Sequence, residues 1–207
     1  MGSYYYLAAQ LPYLVYGQKP PMSCSAFRVL AKQFLNSRDM AYFDLVDLDP
    51  DPEDKGKNEA EGSSYAESAA PSGCTFIDQW REWERTLRLN LARQRSRKVI
   101  REGAAPTETP PIFPIDAAAA AIKAVSTAES PLEAELVLDK ARWEAIESLQ
   151  GINYFDRNTI YAYLLKLILL ERHAMFSVEK GFAEYKSLYA SILGSVQPGS
   201  SPAGEIK

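Results

Sequence analysis

The sequence from position 160 to position 170 is IYAYLLKLILL, and Lys166 is its only charged residue. Such a run is apolar around the whole circumference of a helix, which is typical of a helix buried on every side. It is too short to cross a membrane, because a spanning helix needs about 20 apolar residues. The stretch therefore predicts the central helix of a helical protein. Its start is expected near Asp156, Asn158 or Thr159, which are all good caps.

The helix predicted before this one has a clear start and a clear stop. Ser130 can accept a hydrogen bond from an amide of the first turn, and Pro131 suits the first helical position. Glu133 can reach back to the Ser130 amide and complete a capping box, and Gly151 is a typical stop. The residues predicted on its apolar face are Leu132, Leu136, Trp143, Ile146 and Leu149. The residues predicted on its solvated flank are Glu133, Asp139, Lys140, Glu144 and Glu147.

The helix predicted after the central one begins at a Ser177 cap and ends at Gly194. Its apolar residues recur at helical spacing and form a stripe along the helix. The predicted stripe consists of Val178, Phe182, Tyr185, Leu188, Tyr189 and Ile192.

The first fifty residues predict three short helices. Tyr4 to Leu7 could form a strand by β propensity, but Leu7, Leu11 and Leu14 recur at helical spacing and favour a helix ending near Pro12. A second helix is expected after a Ser23 or Ser25 cap, and a third from Arg38 to Leu48. The apolar positions of the second are Phe27, Leu30, Phe34 and Leu35.

A long helix with many basic residues is predicted from Thr75 to about Ile100. Its apolar ridge steps by three or four residues, and it consists of Phe76, Trp80, Trp83, Leu87 and Leu91. Arginines at 81, 85 and 88 share a face of this helix. Such a run is either a solvated face or a docking surface for an acidic protein or a nucleic acid. The candidate partner-binding residues are Arg81, Arg85, Arg88, Arg93, Arg95, Arg97 and Lys98, with Arg101 just beyond them.

The segments between these helices set the predicted domain organisation. Residues 49–73 are acidic, contain prolines and glycines, and carry almost no apolar side chains, so we expect a long acidic loop. Residues 103–114 hold four prolines and predict an extended connector. We expect an all-α fold, an irregular multi-helix bundle of about six or seven helices. It forms one domain over residues 1–194, or two lobes over 1–102 and 115–194, and a disordered tail over 195–207.

The residues that usually carry chemistry are sparse. His173 is the only histidine, and Cys24 and Cys74 lie fifty residues apart, which argues against a disulfide framework and a zinc site and fits a reducing cytoplasm. No phosphate-binding, dinucleotide-binding or metalloprotease motif is present, and the acidic loop lacks the order of a calcium-binding loop. Thr159, Lys166 and His173 line one strip of the central helix, which indicates a polar strip beside the core rather than a general base. We therefore expect a protein that is not an enzyme and has no cofactor or metal.

Three segments together resemble a known family. They are Tyr4-Tyr5-Tyr6-Leu7-Ala8-Ala9-Gln10-Leu11-Pro12, Trp80-Arg81-Glu82-Trp83-Glu84-Arg85-Thr86-Leu87-Arg88, and the block from Pro131 to Leu167. The pattern resembles a bacterial family associated with V-type ATPase operons, found in spirochaetes and Bacteroidetes. Members look like distant, shortened relatives of the helical protein that caps the central stalk of the A/V-type rotary ATPases, designated C, or d in eukaryotes. It is called the stalk-capping subunit below.

The resemblance implies an all-helical, non-catalytic subunit or assembly factor that links the central stalk to the membrane ring by protein–protein contacts. Its partners would be stalk and membrane-ring subunits, with no small-molecule substrate, and its place would be cytoplasmic and peripheral to the inner membrane. The stalk-capping subunit has three repeated helical lobes, and this chain has room for one or two. The alternative is a helical adaptor that binds nucleic acid or an acidic protein through helix 79–101. The net charge of −4 counts against nucleic acid.

Overall fold

The computed structural model describes residues 4–49, 71–98, 116–175 and 178–195, and all the regular structure in these ranges is helical. The predicted all-α fold is confirmed. The predictions for most of the acidic loop, the proline-rich connector, the Ser177 cap and the C-terminal tail concern residues outside these ranges. The helices are α1 (Tyr5–Gln10), α2 (Cys24–Lys32), α3 (Ser37–Asp44), α4 (Thr75–Lys98), α5 (Asp116–Thr127), α6 (Pro131–Gln150), α7 (Arg157–Met175) and α8 (Val178–Ser195).

Helix α7 is the centre of the core, as the sequence predicts. Its apolar residues from Ile160 to Leu170 are buried on several sides, and Leu164, Leu165 and Leu167 are fully buried. The Tyr161 hydroxyl donates a hydrogen bond to the Asp39 carbonyl of α3 at 3.0 Å. Rings from α2 and α4 also pack on α7. The ring centroids of Phe27 and Tyr163 are 4.8 Å apart, and those of Phe76 and Tyr161 are 6.0 Å apart. These helices therefore share one apolar core with α7.

The predicted ends of α6 and α7 are confirmed, with one difference in the capping box. The Ser130 hydroxyl accepts from the Glu133 amide at 3.1 Å, whereas the Glu133 carboxylate accepts from the Glu129 amide at 2.9 Å instead of the Ser130 amide. Helix α6 stops at Gly151, whose φ of +72° suits glycine because it has no Cβ. Asp156 caps α7 by accepting from the Thr159 amide at 3.1 Å.

Helix α4 packs against both α5 and α6, which also pack against each other. Its predicted apolar ridge is buried, and the rings of Trp80 and Trp83 stack with centroids 5.6 Å apart. The Trp80 indole donates to the Asp47 carbonyl at 2.9 Å, which holds the segment after α3 against α4. The helices before and after the proline-rich connector therefore contact each other directly.

Helices α2 and α3 begin at side-chain caps, whereas α1 has none. The Ser23 hydroxyl accepts from the Ala26 amide at 3.1 Å and begins α2, and Asn36 accepts from the Asp39 amide at 2.8 Å and begins α3. The tyrosine-rich N-terminal segment is helical in α1 rather than a strand. Helix α3 ends at Asp44, before the predicted Leu48, and the Asp47 carboxylate accepts from the Leu48 amide at 2.7 Å. Such a local side-chain bond competes with a helical bond of the Leu48 amide.

The chain divides into two compact units, Met1–His173 and Ala174–Lys207. Helix α8 belongs to the second unit and is described by itself. The rings of Tyr185 and Tyr189 stack with centroids 6.0 Å apart, and the Lys186 ammonium lies 4.7 Å from the Phe182 ring centroid. Tyr185 and Tyr189 of the predicted apolar stripe therefore lie on one face of α8.

Candidate functional site

The candidate partner-binding arginines of α4 do not all lie at the surface. Arg81, Arg88 and Arg95 are seven residues apart, which is about two helical turns, so they follow one side of α4. Arg88 and Arg95 are exposed, and Arg81 and Arg93 are partly exposed. Arg97 and Lys98 lie in the last turn, where the side chains are outside the described part. The stripe of Arg81, Arg88 and Arg95 is called the basic stripe below.

Arg85 is buried, which corrects the expectation that it shares an open face with Arg81 and Arg88. Residues 83–87 are all buried, so the middle of α4 is covered on every side over more than one turn. The Arg85 guanidinium pairs with the Glu82 carboxylate at 3.0 Å. A residue in this position contributes to packing, and its charge is not presented to a partner.

Arg88 is exposed but already engaged in ion pairs. Its guanidinium contacts the Glu84 carboxylate of the same helix at 3.0 Å and Asp49, at the start of the acidic segment, at 3.2 Å. Because Glu84 is fully buried, a change at Arg88 also affects an interior charge. Reversing the charge of Arg85 or Arg88 would therefore disturb ion pairs within the fold as well as any binding surface.

An ion-pair network inside the protein was not predicted from the sequence. Arg142 of α6 donates to both carboxylate oxygens of Glu84 at 3.0 and 3.1 Å, and to Asp139 at 3.0 Å. Arg172 of α7 lies 3.8 Å from Asp139 and 2.5 Å from Glu135. These contacts connect α4, α6 and α7 through charged groups. The buried network centres on the buried Glu84, Asp139 and Arg142, and the more exposed Arg88, Glu135 and Arg172 complete it.

Asp139 corrects the prediction that places it on the solvated flank of α6. It is only 1% exposed, because Arg142 one turn further along α6 is also buried and pairs with it. The spacing of three residues between Asp139 and Arg142 is a pattern that could have indicated this pair. Nothing local in the sequence indicates the contact with Glu84, which lies 58 positions away from Arg142.

The environment shifts the pKa of both buried partners in α6. Burial alone lowers the pKa of Arg142, but the hydrogen bonds and charge of Glu84 outweigh it and raise that pKa above its ordinary value. Burial raises the pKa of Asp139 despite the nearby Arg172 and Arg142 guanidinium groups. The two shifts favour the ionised form of Arg142 and disfavour that of Asp139. The pKa of Arg142 is raised because its guanidinium donates two hydrogen bonds to Glu84. The pKa of Asp139 is raised because its carboxylate loses water on burial and one of its oxygens has no hydrogen-bond partner.

The predicted polar strip of α7 has separate local roles. The Thr159 hydroxyl donates to the Asn153 carbonyl at 2.7 Å, and the Lys166 ammonium lies 5.0 Å from the Trp143 ring centroid and 3.2 Å from Glu147. The His173 ring lies 6.1 Å from the Tyr16 ring centroid. The strip contributes hydrogen bonds and ring contacts to the fold.

The two cysteines are free thiols in different environments, since Cys74 is buried and Cys24 is partly exposed. The Cys24 amide donates to the Glu171 carboxylate at 2.7 Å. Burial and this carboxylate raise the pKa of the Cys24 thiol to about 12, so its thiolate is disfavoured at neutral pH. Within the described ranges, no group of three or more His, Cys, Asp or Glu side chains comes close enough to hold a metal ion.

Sequence comparison matches part of the chain to one family model. The model, described as "Protein of unknown function (DUF2764)", matches residues 122–193. This region runs from within α5 to within α8 and includes the α6 and α7 residues of the buried network. No curated protein and no solved structure matches the chain. Among the described helices, none combines the length and the apolar character that a membrane span requires.

Proposed function

We propose that this protein is a non-catalytic structural or assembly subunit of a V-type rotary ATPase. In this role it resembles the stalk-capping subunit and links the central stalk and the membrane ring by protein–protein contacts. Two findings support the proposal. The fold is all-helical, as the family resemblance implies. The matched region, residues 122–193, contains the whole block from Pro131 to Leu167 on which the resemblance partly rests.

The observation that carries the proposal is the attachment of α4 to α6. Arg142 lies in the matched region, and its two hydrogen bonds to Glu84 fix the middle of α4 there. The ring of Trp83 and the buried Leu87 add apolar contact on the same stretch of α4. A long helix fixed in its middle can present its exposed side to a partner with little loss of conformational freedom on binding.

The exposed side of α4 defines the kind of partner that we propose. Arg81, Arg88 and Arg95 follow one side of the helix. Such a row of positive charge speeds association with an acidic surface and favours one orientation on it. We propose that acidic stalk or ring subunits are the partners, and that the protein is peripheral to the membrane as part of that complex.

Affinity isolation tests this function. The tagged full chain is expressed in its native host, and the complexes are purified from gently solubilised membranes and quantified by mass spectrometry. We expect stalk and ring subunits of a V-type ATPase in a constant ratio to the tagged chain, and their loss when Arg81 and Arg95 are both changed to Glu. Recovery of nucleic acid without ATPase subunits would instead support the adaptor that binds nucleic acid through α4.

A further inference from the structure

A second surface of the first unit, which contains no residue of α4, is rich in exposed aromatic side chains. The loop between α6 and α7 and the first turn of α1 supply them. We call it the aromatic surface. Its members and their exposed fractions are Tyr5 (56%), Tyr6 (75%), Ile152 (88%), Tyr154 (66%) and Phe155 (44%).

Contacts between its two segments hold the aromatic surface in place. The Tyr4 amide donates to the Phe155 carbonyl at 2.7 Å, and the ring of Tyr5 lies 4.7 Å from that of Phe155. Tyr6 adds an edge contact to Tyr5 at 6.1 Å between centroids. The exposed rings therefore start from a fixed arrangement, which lowers the entropic cost of binding.

Hydrogen bonds with the start of α7 also fix the loop itself. The Thr159 hydroxyl donates to the Asn153 carbonyl at 2.7 Å, and Asp156 caps the start of α7. Gly151 turns the chain at the end of α6 with a φ of +72°. A loop held this way keeps Ile152 and Tyr154 in water although burial of such side chains is favourable. Exposed apolar groups on a fixed loop are typical of a recognition surface.

One arginine follows the loop of the aromatic surface, and a second contacts the same Tyr42 ring as the first. Arg157 follows the loop directly, and its guanidinium lies 5.9 Å from the Tyr42 ring centroid. Arg38 of α3 is exposed and lies at the same distance, 5.9 Å, from the same ring. The Asp39 carboxylate lies 3.4 Å from Arg157 and neutralises part of this charge, whereas Arg38 is exposed to solvent. These arginines therefore favour a partner that brings carboxylates.

The composition of this surface distinguishes between the classes of partner. Tyrosine and arginine are enriched at the centre of protein–protein interfaces, and lysine is depleted there. The aromatic surface together with Arg38 and Arg157 contains three Tyr and two Arg and no Lys. An anionic membrane would be attracted by clusters of Lys and Arg, and the net charge of −4 opposes that attraction. A symmetric pair of copies would place two copies of the same surface, each with its two arginines, against each other.

We infer that the aromatic surface docks an acidic segment of another protein that carries apolar side chains. The apolar side chains of the partner pack between the exposed rings, and its carboxylates meet Arg38 and Arg157. This inference does not depend on the ATPase proposal, because no residue of α4 takes part. The basic stripe and the aromatic surface are two separate binding surfaces that can be tested with different variants.

A displayed library of random peptides tests the inference with the full chain. Peptides are selected on the wild-type protein, and their dissociation constants are then measured by fluorescence anisotropy. We expect the enriched peptides to be acidic and to contain aromatic or aliphatic residues. The double change Tyr6→Ser and Tyr154→Ser should raise their dissociation constants by on the order of tenfold or more, because it removes two exposed rings of the surface. Arg38→Glu should weaken the same peptides and reduce the salt dependence of binding.

Tyr13→Ser is the matched control, because Tyr13 is an exposed tyrosine (88%) that does not belong to the aromatic surface. It follows Pro12, whose carbonyl accepts a hydrogen bond from Tyr163 in the middle of α7. This change should leave the dissociation constants unchanged. Selected peptides that bind the double variant as tightly as the wild type, or that are basic, would overturn the inference. Two other results would also overturn the inference. One is sedimentation of the wild type with phosphatidylglycerol vesicles, and the other is a wild-type dimer in sedimentation velocity, if the double change abolishes it.

Discussion

Arg142 on α6 donates hydrogen bonds to both carboxylate oxygens of Glu84 on α4, at 3.0 and 3.1 Å, although the two residues are 58 positions apart. Both side chains are buried, Glu84 completely. A bidentate contact of this kind fixes the relative orientation of two helices more closely than apolar packing does. The pair therefore determines how α4 is held against α6.

We expect the interaction between Glu84 and Arg142 to be strongly coupled. Glu84→Leu alone should lower the free energy of unfolding by about 3–5 kcal/mol, because it leaves a buried guanidinium with one carboxylate fewer. The double change Glu84→Leu with Arg142→Met should cost less than the sum of the single changes, by about 0.5–3 kcal/mol. Urea unfolding of the four proteins measures this coupling.

The control is a surface pair in the same chain. Arg28 and Asp44 are 3.8 Å apart with side chains 35% and 60% exposed, so the same cycle there should give a coupling of about 1 kcal/mol or less. Additive effects at Glu84 and Arg142, equal to those of the control cycle, would show that the two groups do not depend on each other.

Because α7 lies at the centre of the core, truncating its buried leucines should strongly lower the stability of the protein. Leu164→Ala and Leu167→Ala should each lower the free energy of unfolding by about 2–5 kcal/mol, because both side chains are fully buried. Leu132→Ala in the first turn of α6, where the side chain is 40% exposed, should cost about 0.5 kcal/mol or less. Chemical unfolding curves compare the three. Equal unfolding midpoints for the three variants would show that the core does not lie around α7.

The Tyr4–Asp39 hydrogen bond predicts how stability depends on acid. Burial raises the pKa of Asp39, but hydrogen bonds from Tyr4, Arg157 and Asn36 outweigh it and place that pKa below its ordinary value. The stabilisation is therefore present above the ordinary aspartate value, about pH 4, and is lost as pH falls through the lower pKa of the folded state. Tyr4→Phe removes the 2.5 Å hydrogen bond, so the variant should be less stable than the wild type at pH 7, and the difference should shrink below about pH 4.

At alkaline pH the dependence of stability on pH has the opposite sign. Burial and the bond to Asp39 raise the pKa of Tyr4 to about 12 from 10.0, so its stabilisation is full below pH 10 and is lost as pH rises from there towards 12. Free energies of unfolding at pH 3, 7 and 11 for the wild type and Tyr4→Phe measure both limbs. A difference that stays constant over this range would contradict the proposed role of the bond.

Glu171 should control the reactivity of Cys24. A cysteine at a helix N-terminus usually has a lowered pKa, but here burial and the Glu171 carboxylate raise it. Glu171→Gln removes the negative charge, so the Cys24 thiol should react faster with iodoacetamide at pH 8.5, by about tenfold for each unit by which its pKa falls. Peptide mass spectrometry follows Cys24 and uses the buried Cys74 as the unreactive internal control. An unchanged rate at Cys24 would show that burial alone sets its pKa.

The sequence predicts those parts of the fold that depend on neighbouring residues. Ser130, Gly151 and Asp156 mark helix ends by local hydrogen bonds or backbone conformation, and the apolar run from Ile160 to Leu170 shows that α7 is buried without any knowledge of its neighbours. The burial of Arg85 could not be predicted in this way. It depends on how α5 and α6 cover α4, which is a property of the assembled fold.

The candidate site is predicted only in part for the same reason. The basic residues of α4 are visible as a run of charge, but which of them pair internally depends on Glu84, Asp49 and other distant partners. The aromatic surface gives a weaker signal still, because Tyr5 and Phe155 are 150 positions apart in the chain. Their contact appears only when α1 packs beside the loop before α7.

Binding to purified V-type ATPase components tests the proposed function most directly. The dissociation constant of the full chain for the isolated central stalk is measured at low and moderate ionic strength, for the wild type, for Arg81→Glu with Arg95→Glu, and for Lys140→Glu, an exposed control on α6. We expect wild type and control to bind alike and to weaken with salt, and the double reversal to raise the dissociation constant by about tenfold or more. Equal binding by all three proteins would remove the basic stripe from the interface, and no binding of the wild type to stalk or ring components would contradict the proposed function.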